Sequence, residues 1–243
     1  MRRLGGMGET GARGAAGATG VTRAVSGASA VGAPPEARAV GPVGLRERKK
    51  MRMYQDVSDV AITLFLQKGF ERVSVAEVAA AAQISKPTLF RYFSSKEDLV
   101  LHRFADHEDE AARVVAARAP GESAVDALRR QFLAGIERSD PITGVNADPH
   151  ILAFHRLLYG TPSLVARLYE YLERSEDALG EALGGGLEAR LAAGQIIAVQ
   201  RILAQENWRR ISEGEPVVDV RRDAVVSAEG AFARLEAGLP RCV

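Results

Sequence analysis

The segment from residue 74 to residue 96 constrains the fold more than any other part of the chain. Ser74 and Glu77 have the spacing of a capping box, in which each side chain bonds the backbone N–H of the other where a helix begins. Alanines at 79–82 keep this helix slim, so that a partner helix can approach closely. The three residues that follow allow only a tight connection, with the apolar Ile84 in the corner. The segment therefore predicts two short helices joined by a turn.

The second helix of the pair carries its own start signals. Ser85 is a suitable N-cap, and Pro87 falls in the first turn, where a missing N–H costs little. Leu89 and Phe93 are four residues apart and therefore share the inward face. The outer face and leading end then carry Lys86, Thr88, Arg91 and Tyr92. These residue types reach phosphate oxygens and base edges, and a helix-turn-helix places this end of its second helix in the DNA major groove.

A longer helix precedes this pair. It starts in the basic run at 46–52 and continues as an apolar stripe to Lys68. Gly69 suits the left-handed position just past the helix, and Phe70 can fold back on the last turn. We interpret Arg46 and the basic run as a phosphate-contacting end; a solvated helix end is the alternative. The expected small core consists of Leu64, Phe65, Phe70, Val75, Val78, Ile84, Leu89 and Phe93.

The segment at 86–99 resembles the recognition-helix signature of the TetR/AcrR family of bacterial transcriptional regulators; it reads Lys-Pro-Thr-Leu-Phe-Arg-Tyr-Phe-Ser-Ser-Lys-Glu-Asp-Leu. The likeness extends upstream to the basic run at 46–52 and covers about a quarter of the chain. The resemblance implies base or near-base contacts from Lys86, Pro87 and Thr88. It implies contacts to the DNA backbone from Ser74, Ala76, Tyr92 and Lys96.

The chain departs from the family pattern at two positions. Ala76 stands where some members have a longer polar residue, which argues against a base contact from that position. Phe90 stands where many members have tyrosine, and its side chain has no hydroxyl to donate to a phosphate.

Positive charge is concentrated around this motif. Residues 45–103 carry a net charge of +4, whereas residues 104–243 carry −6 and the whole chain +1. All five lysines lie between Lys49 and Lys96. The near-neutral total argues against a generic polyanion binder, and the local excess is typical of a DNA-reading head.

The ends of the chain suggest little chemistry. Residues 1–44 are rich in Gly and Ala and contain no aromatic residue, which predicts a disordered extension. An additional DNA-binding arm, a spacer and a start codon placed too far upstream all stay open for it. The single cysteine, Cys242, excludes an intramolecular disulfide and cysteine-rich metal sites. No apolar run approaches the roughly 20 residues that span a bilayer, so we expect a cytoplasmic protein.

The region 104–243 reads as helix almost throughout, and the fold is expected to be all-α, with a helix-turn-helix head at 45–103. One long helix from Ser95 to about Ala117 is expected to connect the two parts. The resemblance implies that the last two helices pair with their twins in a homodimer. Candidate interface residues, with intrachain core as the alternative, are Ala198, Leu203, Ala204, Ala228, Ala231, Phe232 and Leu235.

No catalytic or cofactor pattern is visible in this region. The histidine pairs 102/107 and 150/155 are five residues apart, which does not bring two imidazoles to one helical face for a metal ion. Phosphate-binding and dinucleotide-binding glycine patterns are absent as well. Six aromatic residues suit either an apolar pocket or ordinary core: Phe132, Phe154, Tyr159, Tyr169, Tyr171 and Trp208. We therefore expect no cofactor and no metal, and rank an enzyme last.

The sequence favours a homodimeric transcriptional regulator, most simply a repressor. It would bind a quasi-palindromic double-stranded DNA operator and be released by an apolar small-molecule effector. The alternative is a helical interaction or small-molecule-binding protein without sequence-specific DNA binding.

Overall fold

The computed structural model describes residues 45–105 and 107–239, and every regular element within them is a helix, which confirms the all-α class. The elements are α1 (Leu45–Lys68), α2 (Val75–Ala81), α3 (Lys86–Tyr92), α4 (Asp98–Ala105), α5 (Glu110–Ala116), α6 (Ala124–Glu137), a 3-10 turn (Pro141–Thr143), α7 (Pro149–Gly160), α8 (Pro162–Ala182), α9 (Gly186–Ser212) and α10 (Val217–Gly238). The extension predicted at 1–44 and Cys242 lie outside the described residues. None of the described helices is long and apolar enough to cross a membrane.

Helices α1 to α3 form a small head around an apolar core. Helix α1 ends as predicted, because Gly69 has a φ of 89° and the Phe70 ring folds back to 4.9 Å from the Phe65 ring, centroid to centroid. Five expected core residues are buried: Phe65, Phe70, Val78, Leu89 and Phe93. The other three, Leu64, Val75 and Ile84, are half-buried and pack against them.

The start signals of α2 and α3 are confirmed. The Ser74 hydroxyl accepts a hydrogen bond from the Glu77 backbone N–H at 3.1 Å, and the Ser85 hydroxyl accepts one from the Thr88 N–H at 3.2 Å. Gln83, in the connection, has a left-handed φ of 56°. One left-handed residue suffices to turn the chain, so the two helices pack with a short link between them.

The prediction of one connecting helix from Ser95 to about Ala117 is wrong. The structure divides this stretch into α4 and α5, with a turn at 107–109. The Glu110 N–H donates to the His107 carbonyl at 3.1 Å, which is the shorter spacing of a tightened turn. Four acidic residues fall within 106–110, and repulsion between neighbouring like charges disfavours a continuous helix there.

Helices α5 to α10 enclose a second apolar core. Helix α8 packs on α5 and α9, and α10 packs on α6 and α9. The apolar face of α6 is buried in this core, including Leu128 and Ile136. The dimer-face prediction is wrong for the α10 residues, because Ala228, Ala231, Phe232 and Leu235 are buried within the single chain. Large apolar side chains that are exposed on α9 and α10 are Leu187, Leu191, Ile202, Val218 and Val226.

The described residues, 45–105 and 107–239, belong to one compact unit. Within it, α4 packs on α1 of the head and also on α8. The helix that follows the recognition helix is thus in contact with both halves, and the domain boundary at 103/104 stays a prediction.

Candidate nucleic-acid interface and internal cavity

The residues predicted to contact DNA lie on α2, on α3 and just after α3. Ser74, Ala76, Lys86, Pro87 and Arg91 are exposed, and Thr88, Tyr92 and Lys96 are half-buried. The exposed members thus lie on, or just before, two helices that pack against each other. Arg46 lies within α1, but its side chain falls outside the described part of the chain.

Tyr92 is held by α1 rather than free in solvent. Its ring meets the Tyr54 ring edge to face, with centroids 5.1 Å apart and planes at 88°. The Arg91 guanidinium carbon lies 5.3 Å from the centroid of the same Tyr92 ring. Such aromatic and cation–π contacts restrict both side chains, so Arg91 and Tyr92 are oriented before any ligand arrives.

The Thr88 hydroxyl is already engaged in the helix cap. It lies 2.8 Å from the Ser85 hydroxyl, while the Thr88 backbone N–H also donates to Ser85. A hydroxyl combines one donor with two acceptor lone pairs. Thr88 therefore keeps hydrogen-bonding capacity for a base edge while its position is fixed by the cap.

Phe90 forms an exposed apolar feature that the sequence reasoning treated only as a missing hydroxyl. It is 45% exposed, and the Lys86 ammonium lies 5.8 Å from its ring centroid. The four-residue spacing of Lys86 and Phe90 was the available signal, because side chains so spaced share a helix face. The outward surface of α3 thus combines a cation with an aromatic ring.

Lys96 contacts the protein more closely than the sequence suggested. Its ammonium donates to the Phe70 backbone carbonyl and lies 4.2 Å from the Phe70 ring centroid. An ammonium has three donors, so a DNA phosphate would share this group with Phe70.

Asp98 is a buried charged residue that the sequence reasoning missed. Burial raises its pKa, but hydrogen bonds from Arg167 and Ser94 outweigh that effect, so the pKa of Asp98 lies below its ordinary value. Ser95 and Asp98 form a reciprocal capping box, with both N–H to side-chain oxygen distances at 3.1 Å. The Ser-x-x-Asp spacing at 95–98 was the sequence signal for this box.

The C-terminal helices enclose a cavity of about 170 Å³. Its apolar walls include Phe104, Phe132, Leu168, Tyr159 and Tyr171. Three of the six aromatic residues named from sequence therefore line it, Phe132, Tyr159 and Tyr171. Phe154 and Trp208 pack elsewhere among the helices, whereas Tyr169 is exposed. A mainly apolar cavity with a few polar groups is the usual form of a small-molecule site.

A polar network forms one edge of the cavity. Glu110 accepts hydrogen bonds from His107, at 2.6 Å from Nδ1, and from the Gln131 amide. The His107 bond lowers the pKa of Glu110 against the opposing effect of burial. The Glu110 carboxylate therefore stays ionised at neutral pH, and Arg201 supplies a cationic group elsewhere on the lining.

The second histidine pair is divided between surface and interior. His150 is exposed, whereas His155 packs its ring against Trp208 and Tyr159. Burial lowers the pKa of His155 to about 4. Within residues 45–105 and 107–239, no group of three or more His, Cys, Asp or Glu residues is placed to hold a metal ion.

Comparison with known proteins bears on the head and on the fold. The sequence model for "Bacterial regulatory proteins, tetR family" matches residues 58–102, from within α1 to α4. The HTH-type transcriptional regulator TcmR of Streptomyces glaucescens is 35% identical over 142 residues, which are 58% of this chain and 61% of that protein. The match thus spans less than two thirds of the relative.

Two solved structures share the fold at low sequence identity. A TetR-family regulator from Streptomyces coelicolor A3 has a TM-score of 0.52 at 18% identity, covering 79% of this chain and 99% of its own. NalD, the secondary repressor of the MexAB-OprM multidrug efflux pump in Pseudomonas aeruginosa, has a TM-score of 0.51 at 15% identity, covering 79% and 98%. The head of this chain therefore matches the tetR family of bacterial regulatory proteins over residues 58–102, and the described helices share the fold of these two regulators.

Proposed function

We propose that the protein binds a quasi-palindromic DNA operator as a homodimer and that a mainly apolar small molecule releases it. The observation that carries the DNA-binding part is the exposed leading end of α3, where Lys86 and Pro87 meet solvent beside the fixed Thr88. The N-terminal part of a recognition helix is the part that enters the major groove. We assign base contacts to Lys86, Pro87 and Thr88.

The remaining contacts are assigned to the DNA backbone. Ser74 and Ala76 are exposed at the start of α2, where we assign them hydroxyl and main-chain contacts, and Arg91 and Tyr92 lie at the C-terminal end of α3. Arg46 and Lys96 complete the set as phosphate contacts. The net charge of +4 at 45–103 against −6 at 104–243 supports an orientation with the head toward DNA.

The dimer is proposed to form through α9 and α10. Both helices carry large apolar side chains that are more than half exposed, such as Leu187, Ile202 and Val226. Large exposed apolar side chains on two helices that pack together are consistent with an interaction site. A two-fold dimer would present two heads to half-sites about one helical turn apart, and residues 104–243 would serve as its regulatory part.

The effector site is proposed to be the internal cavity. A ligand releases the operator only if it binds the DNA-free arrangement more tightly than the DNA-bound one. The DNA partner in turn implies a cytoplasmic protein. The match of the head to a family of transcriptional regulators, and the similarity to TcmR, argue against an enzymatic role.

Selection of bound duplexes from random DNA by the full-length protein tests the proposal. We expect enrichment of an inverted repeat with half-sites about 10 base pairs apart, centre to centre. Parallel selection with Arg91→Ala and Lys86→Ala controls for binding through other surfaces. Enrichment of no sequence, with the protein folded, would favour the alternative of a helical interaction or small-molecule-binding protein.

A further inference from the structure

Asp98 joins three parts of the chain through one carboxylate that is 6% exposed. It is the first residue of α4, and it accepts hydrogen bonds from the Ser94 hydroxyl and the Ser95 N–H in the link that follows the recognition helix. Arg167 of α8 approaches it with two nitrogens, Nε at 2.9 Å from Oδ1 and Nη2 at 3.2 Å from Oδ2. A two-pronged pair of this kind fixes orientation as well as distance.

A second ion pair holds the other end of α4. Arg174 follows Arg167 by seven residues and therefore lies on the same face of α8. Its Nη2 is 2.8 Å from Oε1 of Glu108, which lies in the turn between α4 and α5. Two arginines of α8 thus form ion pairs with the first residue of α4 and with the turn that follows α4.

Tyr171 lies between these arginines on α8 and is 8% exposed. The Arg174 guanidinium carbon is 4.2 Å from the Tyr171 ring centroid. Tyr171 lines the internal cavity and also lines a groove bordered by Tyr92, Asp98 and Arg167. Burial and then the nearby charge of Asp98 raise the pKa of Tyr171, as expected for a phenol close to that carboxylate. The Tyr171 side chain therefore borders both the cavity and the groove at the C-terminal end of the recognition helix.

We propose that Arg167 and Arg174 form a clamp that couples the cavity to the recognition helix, with Tyr171 as the side chain that senses occupancy. The clamped α4 holds the head in its DNA-binding arrangement. A molecule that fills the cavity displaces Tyr171, and the Asp98–Arg167 pair weakens. The consequence at the operator rests on the proposed function, whereas the coupling between cavity and α4 does not.

The coupling is testable without an identified effector, by filling the cavity with a side chain. Ala111 on α5 lines the cavity, whereas its neighbour Ala112 lies outside the lining. The full-length variants Ala111→Phe and Ala112→Phe are made in the wild-type and Arg167→Ala backgrounds. Arg156→Ala, an exposed arginine on α7, is the matched background control. Hydrogen–deuterium exchange of residues 94–105 is measured in each, and operator affinity in parallel.

We expect Ala111→Phe to speed exchange at 94–105 roughly fivefold or more, the lower range of ordinary coupling between sites. Arg167→Ala alone should speed exchange in this segment to a similar extent. The double variant should exchange less than about twofold faster than either single variant, because both changes release the same clamp. Ala112→Phe and Arg156→Ala should leave exchange in this segment unchanged. Arg167→Lys, which keeps the charge but not the two-pronged bond, should fall between.

The clamp is overturned if the effects of Ala111→Phe and Arg167→Ala multiply independently, or if a folded Ala111→Phe leaves exchange at 94–105 unchanged. If Ala111→Phe does not fold, Ala204→Phe fills the cavity from α9 and carries the same expectation. Failure of the proposed function has a different signature: the wild type shows no preferred duplex, while the exchange cycle still reports on the clamp. Where an operator is found, Arg167→Ala should weaken binding to it without changing the salt slope, because Arg167 contacts no phosphate in the proposal.

Discussion

The Lys96 ammonium donates to the backbone carbonyl oxygen of Phe70 and lies over the Phe70 ring. Phe70 follows the glycine that ends α1, and Lys96 follows the recognition helix by four residues. The contact therefore joins the turn after α1 to the link before α4. A residue named from sequence as a phosphate contact also stabilises the head itself.

Replacing Lys96 by methionine should lower the free energy of unfolding by about 1–2 kcal/mol, because the Phe70 carbonyl loses a charged donor and the ring loses a cation. Lys86→Met, at an exposed position, should change it by less than about 0.5 kcal/mol. Urea denaturation measures both values. For DNA binding, Lys96→Met should weaken binding to all duplexes similarly and lower the slope of log affinity against log salt by about one unit, whereas Lys86→Met should mainly reduce discrimination between duplexes. Equal stability of the two variants would contradict the structural role of Lys96.

Thr88→Val should reduce discrimination between the operator and mutated duplexes by about 1–3 kcal/mol, because valine keeps the shape of threonine but has no hydroxyl for a base edge. The Ser85→Ala variant separates this role from the helix cap. It removes the acceptor for the Thr88 N–H and should cost about 1 kcal/mol of folding stability. Competition binding with single-base variants of the selected duplex provides the measurement. Equal losses on every duplex for Thr88→Val would assign Thr88 to the cap alone.

Gly144→Ala should destabilise the fold far more than Gly121→Ala. Both glycines have positive φ, 73° and 85°. A Cβ on Gly144 would lie 2.0 Å from the carbonyl oxygen of Ala204 on α9, whereas a Cβ on Gly121 would meet no atom within 4 Å. We expect about 1 kcal/mol for Gly121→Ala, from backbone strain alone, and more than about 3 kcal/mol for Gly144→Ala. Thermal unfolding of the two variants side by side provides the measurement. Equal destabilisation by the two changes would contradict the close packing of the Gly144 loop on α9.

Stability should fall as the pH is lowered from about 6.5 toward 4, because of His155. Its pKa in the folded protein is about 4 owing to burial, below the ordinary value of 6.5. Between these values the unfolded chain binds a proton that the folded chain does not, so acid favours unfolding there. The loss is complete near pH 4 and amounts to at most about 3 kcal/mol.

His155→Phe keeps the aromatic packing against Trp208 and should flatten the pH dependence of the free energy of unfolding between pH 5 and 6.5. Denaturant midpoints at half-unit pH steps provide the comparison, with His150→Phe as the exposed control. Parallel pH profiles for wild type and His155→Phe would show that His155 is protonated in the folded protein over this range.

Local signals in the sequence predicted the head well. Caps at Ser74 and Ser85, the glycine stop at Gly69 and the four-residue spacing of Leu89 and Phe93 depend on neighbouring residues only, and each is confirmed. Such features follow from backbone hydrogen bonding within a few residues.

Features that depend on distant residues escaped the sequence. Arg167 meets Asp98 across 69 positions, and only the packing of α8 on α4 brings them together. The α10 residues expected at a dimer face have the apolar character of any buried stripe, and pattern alone does not distinguish a partner helix of the same chain from one of a second chain. The break at 107–109 reflects a balance between helix propensity and charge repulsion that tertiary packing decides.

We propose above that the outward face of α3 reads DNA sequence. The most direct test is the affinity of the full-length protein for its selected duplex and for a scrambled duplex of equal length, at about 150 mM salt. We expect a ratio of at least about 1,000 in favour of the selected duplex. Equal affinity for the two duplexes would contradict it.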